Sequence, residues 1–116
     1  MKRVYQALLY SLDGIKFTIQ SEKAFREELA ICAILMPTAI ILDVSIIAKI
    51  LMINSLVLIL IAELINTAIE VSINRISKEK HPLSKHAKDI GSSVVLLAIL
   101  NSFFTWVIIL IYRLFV

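Results

Sequence analysis

Two glycines, two prolines and one cysteine are spread over 116 residues. So little Gly and Pro excludes a collagen-like chain or a Pro-rich disordered one, and the lone Cys32 excludes a disulfide scaffold and a thiolate metal cluster. Charge is also scarce: 18% of residues are Asp, Glu, Lys or Arg, against 59% hydrophobic residues and a mean hydropathy of +0.91. That balance excludes a water-soluble globule. No internal repeat or low-complexity tract is present. The first 28 residues hold no uninterrupted apolar run ahead of a small-residue cleavage site, so the expected mature start is Met1.

What is present is apolar sequence in lengths that fit a bilayer, whose hydrocarbon core of about 30 Å takes roughly 20 residues of helix to cross. Residues 29–48 carry one charge, Asp43, near their far end, residues 50–74 are broken only by Glu63 and Glu70, and residues 90–112 carry no charge. These three stretches predict three transmembrane helices. Ahead of them Val4, Leu8, Leu12, Ile15 and Ile19 fall at helical spacing among polar residues, which predicts an amphipathic surface helix over about 1–20. Gly14 is a candidate bend in it, and Ser21 a candidate cap for the next helix. The expected class is an all-α polytopic membrane protein forming one domain over 1–116.

Orientation follows from Lys and Arg. Residues 1–28 hold five (Lys2, Arg3, Lys16, Lys23, Arg26) and residues 75–89 five more, whereas the other side has only Lys49 and Arg113. The positive-inside rule puts the N-terminus and the 75–89 loop in the cytoplasm and the C-terminus outside. The net charge of +3 is then a charge of membrane topology and does not point to nucleic acid. Pro82 is expected to break the chain between two helices, Asp43 to Lys49 to form the outer turn, and Gly91, Ser92, Ser93 and Ala98 to give a small-residue packing surface. His81 and His86 flank Pro82 without convincing ligand spacing and read as solvated loop residues.

The informative residues are polar ones inside the middle span. A carboxylate at bilayer depth costs about 2.5 to 3.5 kcal/mol even on the lenient insertion scale, so Glu63 needs a reason to be there. At about 100° per residue Glu63, Asn66, Glu70 and Asn74 share one arc of roughly 80°, with Asn54 opposite. Such a stripe must face protein or a wet cavity. Asn can simply glue helices together, but acidic groups make poor glue where the span offers no cation. A divalent cation is the natural partner for Glu70, and Mg²⁺, which prefers one or two carboxylates with waters and substrate phosphates, suits a carboxylate at the membrane surface. Glu22, Glu27 and Glu28 are candidates for the second carboxylate; Glu27 and Glu28 read equally as solvated helix charges, which is the default for Glu28. Lys88 can hold a phosphate as a point charge or snorkel as an anchor beside Asp89. No Walker-type loop or protein-kinase signature occurs, so a nucleotide would have to be held by other means.

ELINTAIE at 63–70, HPLSKHAKDIGSS at 81–93 and EKAFREE at 22–28 together resemble the signature of the small bacterial integral-membrane diacylglycerol kinases, over essentially the whole chain. The resemblance implies a homotrimeric lipid kinase that moves the ATP γ-phosphate to the primary hydroxyl of diacylglycerol at the cytoplasmic face of the inner membrane. It implies Glu63 as catalytic acid/base and Glu22 and Glu70 as Mg²⁺ ligands. Lys88 and Asp89 match the nucleotide site, with Arg3, Tyr10, Glu79 and His81 lining it. Asn66, Ser92 and Trp106 match substrate-side positions, and Arg3 and Glu63 touch that side as well. Glu27, Asn74 and Leu12 depart from residues that relatives often carry there. A sister branch phosphorylates undecaprenol: ELINTAIE and HPL suit both branches, while FREE at 25–28 and Gly91-Ser92 look more like the diacylglycerol branch. From another class, a small oligomeric transporter would also place Glu at mid-bilayer.

Overall fold

The computed structural model describes residues 1–116, and all of its regular structure is helical. Helix α1 spans Lys2–Ser21, α2 Lys23–Ile41, α3 Ile46–Ile76 and α4 Pro82–Phe115. The all-helical class is thus as the sequence predicts, and α1 coincides with the expected surface helix, running straight through Gly14. Helix α3 is central, packing on α4 along one side and on α2 along the other, while α1 touches only α2 and α3. The molecule is a slab of 54 × 41 × 21 Å.

Boundaries differ from the sequence reading where capping decides them. Glu22, and not Ser21, is the residue between α1 and α2, with extended backbone (φ −118°, ψ 111°). The elbow is tied by Arg26, whose Nη1 donates to Ile19 O at 2.7 Å and to Gln20 O at 3.2 Å, satisfying carbonyls that the end of α1 leaves open. Thr18 and Phe25 are buried under it. At the other end α2 stops at Ile41 and not at residue 48, because Leu42 is extended and Ser45 caps α3, its hydroxyl accepting from Ala48 N at 3.1 Å. The outer turn is therefore 42–45, with Lys49 already inside α3. That lysine reaches back to donate to Ile40 O at 2.6 Å, and Arg113 Nε donates to Asp43 O at 3.1 Å, so both cations at this end of the molecule cap open carbonyls.

Pro82 opens α4 at its first turn, where its missing N–H removes nothing, and His81 is the cap, its Nδ1 accepting from Leu83 N at 3.1 Å. The expected solvated loop histidine thus has a structural task. Along the α3–α4 seam Ile59, Ala62 and Ala98 form the core, followed by a buried Ser55–Ser102 hydroxyl pair at 2.9 Å. Of the expected small-residue surface, Gly91 and Ala98 face α3, Ser92 and Ser93 are exposed, and Ser102 extends the buried row.

Helices α3 and α4 are long and apolar enough to cross a membrane. They are not core helices of a soluble fold, since Leu58, Leu97, Phe103 and Phe104 on them stand 44–67% exposed. Helix α2 does not meet the same measure: Lys23, Arg26, Glu27 and Glu28 occupy its start and Pro37 lies within it.

Candidate active site

Glu63 is the one carboxylate the fold buries, at 7% exposure, in the middle of α3. Cys32 Sγ lies 4.0 Å from Leu56 O, a contact that sets the antiparallel register of α2 on α3 and brings residues 25–28 level with 60–63. Glu28 is accordingly half-buried and directed to this region, not a solvated helix charge. Glu28, Glu22 and Glu70 all lie close enough for their charges to act on Glu63, Glu28 most strongly. Helices α2 and α3 and the elbow before α2 therefore bring four carboxylates within electrostatic reach of one another's region.

The stripe behaves as its spacing predicts. Asn66 and Glu70 are half-buried, and Asn66 Nδ2 donates to Glu70 Oε1 at 3.4 Å. Asn74, one turn on, is exposed and accepts from Lys88 Nζ at 2.9 Å. Asn54, on the opposite face, is exposed. The stripe thus leads from the buried Glu63 to α4's first turns, where the cationic groups are.

Two cavities flank this line. An apolar groove of about 460 Å³ lies between α1 and α3, lined by Ile15, Phe17 and Thr18 on one wall and Leu64, Thr67 and Val71 on the other. Thr67, which lines the groove, is one turn from Glu63 on α3 and donates to its backbone carbonyl at 2.9 Å. The second is an open cleft of about 900 Å³ between the end of α3 and the start of α4, in which Lys78, Lys80, Lys85 and Lys88 gather with Glu79 and His81. Asp89 sits on its rim, 2.7 Å from Lys85 Nζ, and that hydrogen bond holds its carboxyl below the usual carboxylate range. One cavity suits hydrocarbon and the other suits polyanions.

The fold brings together Glu63, Asn66, Glu70 and Glu22 as one group, and Lys88, Asp89, Glu79 and His81 as another. It does not bring Arg3, Tyr10, Ser92 or Trp106 to either. Arg3 and Tyr10 are exposed on α1, and Arg3 lies about 28 Å along the helix axis from Glu22. Ser92 is exposed, and Trp106 sits far up the α3–α4 seam with Nε1 donating to Met52 O at 3.2 Å. Sequence reasoning named Glu28 as a candidate but read it by default as solvated, because its inward face depends on the α2–α3 register, and it missed the Ser55–Ser102 pair, whose only trace is a serine four residues beyond Ala98.

No set of three or more His, Cys, Asp or Glu side chains converges closely enough to form a metal cage by itself. Carboxylate oxygens such as those of Glu70 and Glu22 suit a hard divalent cation that draws its remaining ligands from water and a bound phosphate.

Comparison with known proteins gives the same direction. The family model for prokaryotic diacylglycerol kinase matches residues 9–110. A diacylglycerol kinase of Pseudomonas aeruginosa is 43% identical over 111 residues, covering 96% of this chain and 90% of the relative. That of Escherichia coli K12 is 41% identical over 108 residues (93% and 88%), and one from Helicobacter pylori J99 is 35% identical over 105 residues (90% and 82%). With a buried glutamate on a membrane-length helix, an apolar groove beside it and a lysine-rich cleft at the helix end, the chain belongs to the prokaryotic diacylglycerol kinase family.

Proposed function

We propose that this protein is a Mg²⁺-dependent diacylglycerol kinase of the bacterial inner membrane, transferring the γ-phosphate of ATP to the primary hydroxyl of diacylglycerol to give phosphatidic acid. The observation that carries this reading is Glu63, buried on α3 one turn from the Thr67 that lines the apolar groove and on the same polar stripe as Asn74, which meets Lys88 of the lysine cleft. A lipid acyl chain fits the groove, and a nucleotide triphosphate fits the cleft. Phosphoryl transfer asks for in-line positioning and charge neutralisation more than covalent chemistry, which a few carboxylates, a cation and a lysine can supply.

In this reading Glu63 accepts the proton of the lipid hydroxyl. Glu70 and Glu22 would hold Mg²⁺, which when bound neutralises phosphate charge and orients the transferring group. Lys88, with Asp89, Glu79 and His81 around it, binds the phosphates. Arg3, Tyr10, Ser92 and Trp106 can join these sites only across a subunit boundary, because one chain holds them apart. That supports assembly as a homotrimer in which one subunit's surface helix or exposed α4 face completes a neighbour's site. The single domain 1–116 crosses the membrane three times, α2 making the first crossing with its apolar 29–41 stretch extended by the 42–45 turn, and the lysine cleft faces the cytoplasm.

Undecaprenol is the competing acceptor, and the relatives named diacylglycerol kinases favour diacylglycerol. A transporter would gain nothing from a carboxylate pair beside a lysine cleft. Purified protein given γ-labelled ATP, Mg²⁺ and equal amounts of diacylglycerol and undecaprenol decides between them. Label in phosphatidic acid is the expected result, and label confined to undecaprenyl phosphate would move the chain to the sister activity.

A further inference from the structure

Glycine weakens a helix relative to alanine, so a glycine inside a long one calls for a local reason. The two glycines here differ sharply. A Cβ at Gly14 would meet nothing within 4 Å, whereas a Cβ at Gly91 would overlap Asn66 Oδ1 and stand 3.4 Å from Asn66 Cγ and Ile69 Cδ1. Gly91 is buried on the α4 face that meets α3. The missing side chain is therefore a notch, and the Asn66 amide fills it.

The notch also fixes which way that amide points. Asn66 Oδ1 is buried in it and has no hydrogen-bond donor, while Nδ2 donates to Glu70 Oε1 at 3.4 Å. Turning the amide over would set its carbonyl oxygen against a carboxylate and bury an NH₂ without an acceptor, so the observed orientation is the one that gives Glu70 a donor. A buried carbonyl left without a donor is costly and is tolerated here because the other end of the same amide is in use.

We infer that Gly91 is a positioning residue for Glu70: the notch in α4 seats Asn66, and Asn66 holds the Glu70 carboxylate in one orientation. The inference rests on the reading above in which Glu70 supplies an oxygen to a divalent cation. One carboxylate oxygen is tied by a neutral donor and the other has no side-chain partner, so less side-chain freedom remains to be lost when a cation binds. Partners of this kind, one step behind a metal ligand, are worth about 10- to 100-fold in metal affinity.

The test uses the full chain in lipid vesicles, with Mn²⁺ as a paramagnetic probe and a non-hydrolysable ATP analogue, and reads bound Mn²⁺ by electron paramagnetic resonance in wild type, Gly91→Ala, Asn66→Ala, Glu70→Gln and the Gly91→Ala/Asn66→Ala double variant. Each single variant is expected to weaken Mn²⁺ binding by about tenfold or more. The double variant should be no weaker than Asn66→Ala alone, because with the amide gone the added methyl has room and nothing left to displace. Multiplying losses in the double variant, or wild-type Mn²⁺ binding in Gly91→Ala while Glu70→Gln is impaired, would overturn the role of Gly91 and leave the metal assignment intact. Wild-type binding in Glu70→Gln would remove the metal assignment itself, and this inference with it. Should Gly91→Ala fail to fold, recovery of folded protein in the double variant supports the notch, and failure of both contradicts it.

Discussion

Glu63 differs from the other acidic residues of the chain in its surroundings: 7% exposed on a helix of membrane length, it has no cation to neutralise it within α3 and three other carboxylates nearby. Such a placement is costly for folding and useful for proton transfer. Replacing it with Gln preserves volume and removes the proton acceptor, so Glu63→Gln should keep thermal stability and assembly while turnover falls by about 10² to 10⁴, the range for loss of a general base. Steady-state rates beside size-exclusion profiles check this, and a near-normal kcat would assign Glu63 to packing. Glu22→Gln and Glu70→Gln should instead shift the Mg²⁺ concentration for half-maximal rate upward, since each removes one of the few protein oxygens available to the cation. A Mg²⁺ titration with an unchanged midpoint in both variants would exclude the carboxylate pair as its site.

At the scale of elements, what was legible in the sequence depended on whether the signal was local. The Glu63, Asn66, Glu70, Asn74 stripe is a property of one helix, so a 3.6-residue period placed all four on one face before any tertiary contact was known. Pro82 and the uncharged run of 90–112 marked α4 in the same way. Glu28, by contrast, sits beside three other charges and read as solvated, because its inward face depends on which turn of α2 meets which turn of α3. The end of α2 was legible only in part: Asp43 marked the start of a turn, but the apolar run continues past it without a glycine or proline, and the Ser45 cap that brings the start of α3 forward to Ile46 was not read. The α1–α2 elbow was equally unreadable, resting on Arg26 reaching seven residues back to Ile19 O. That contact makes a prediction for the element it holds: Arg26→Ala should remove roughly 0.3 to 1 kcal/mol of helix-end stabilisation and loosen the placement of Glu22, so that steady-state kinetics show the apparent KM for Mg·ATP rising more than kcat falls. At the α3–α4 seam, Ala98→Leu would force extra methyl groups between Ile59 and Ala62 and should cost about 1 to 3 kcal/mol in thermal unfolding of the detergent-solubilised protein.

At the scale of the molecule, the chain is incomplete as a barrier between its polar stripe and lipid. Fourteen of 116 residues are buried, and α1 leaves Val4, Leu8 and Leu12 more than half exposed, so most apolar surface is offered to a bilayer or to other subunits. Three helices side by side cannot enclose Glu63, Asn66 and Glu70 on every side, and directing them to hydrocarbon would carry the desolvation cost more than once. The proposed trimer would resolve this, and would also return Arg3 and Tyr10 to a site that one chain cannot build. If sites are shared in that way, co-assembling inactive Glu63→Gln subunits with inactive Glu22→Gln subunits should restore part of the activity, because some interfaces then hold both intact residues. No restoration in cross-linked mixed oligomers would put Glu22 and Glu63 in one subunit's site, and full activity in a monomer would defeat the assembly argument.

The central claim is that a carboxylate buried in the membrane serves the phosphorylation of a lipid hydroxyl by a nucleotide held at the surface. Its most direct test is to follow γ-labelled ATP in vesicles containing diacylglycerol and Mg²⁺, with wild type and Glu63→Gln compared at matched nucleotide binding. The account predicts label in phosphatidic acid for wild type, dependent on both lipid and Mg²⁺, and a loss of at least about 10² in Glu63→Gln with ATP still bound. Label released only as inorganic phosphate, or transferred to lipid equally well by Glu63→Gln, would contradict it.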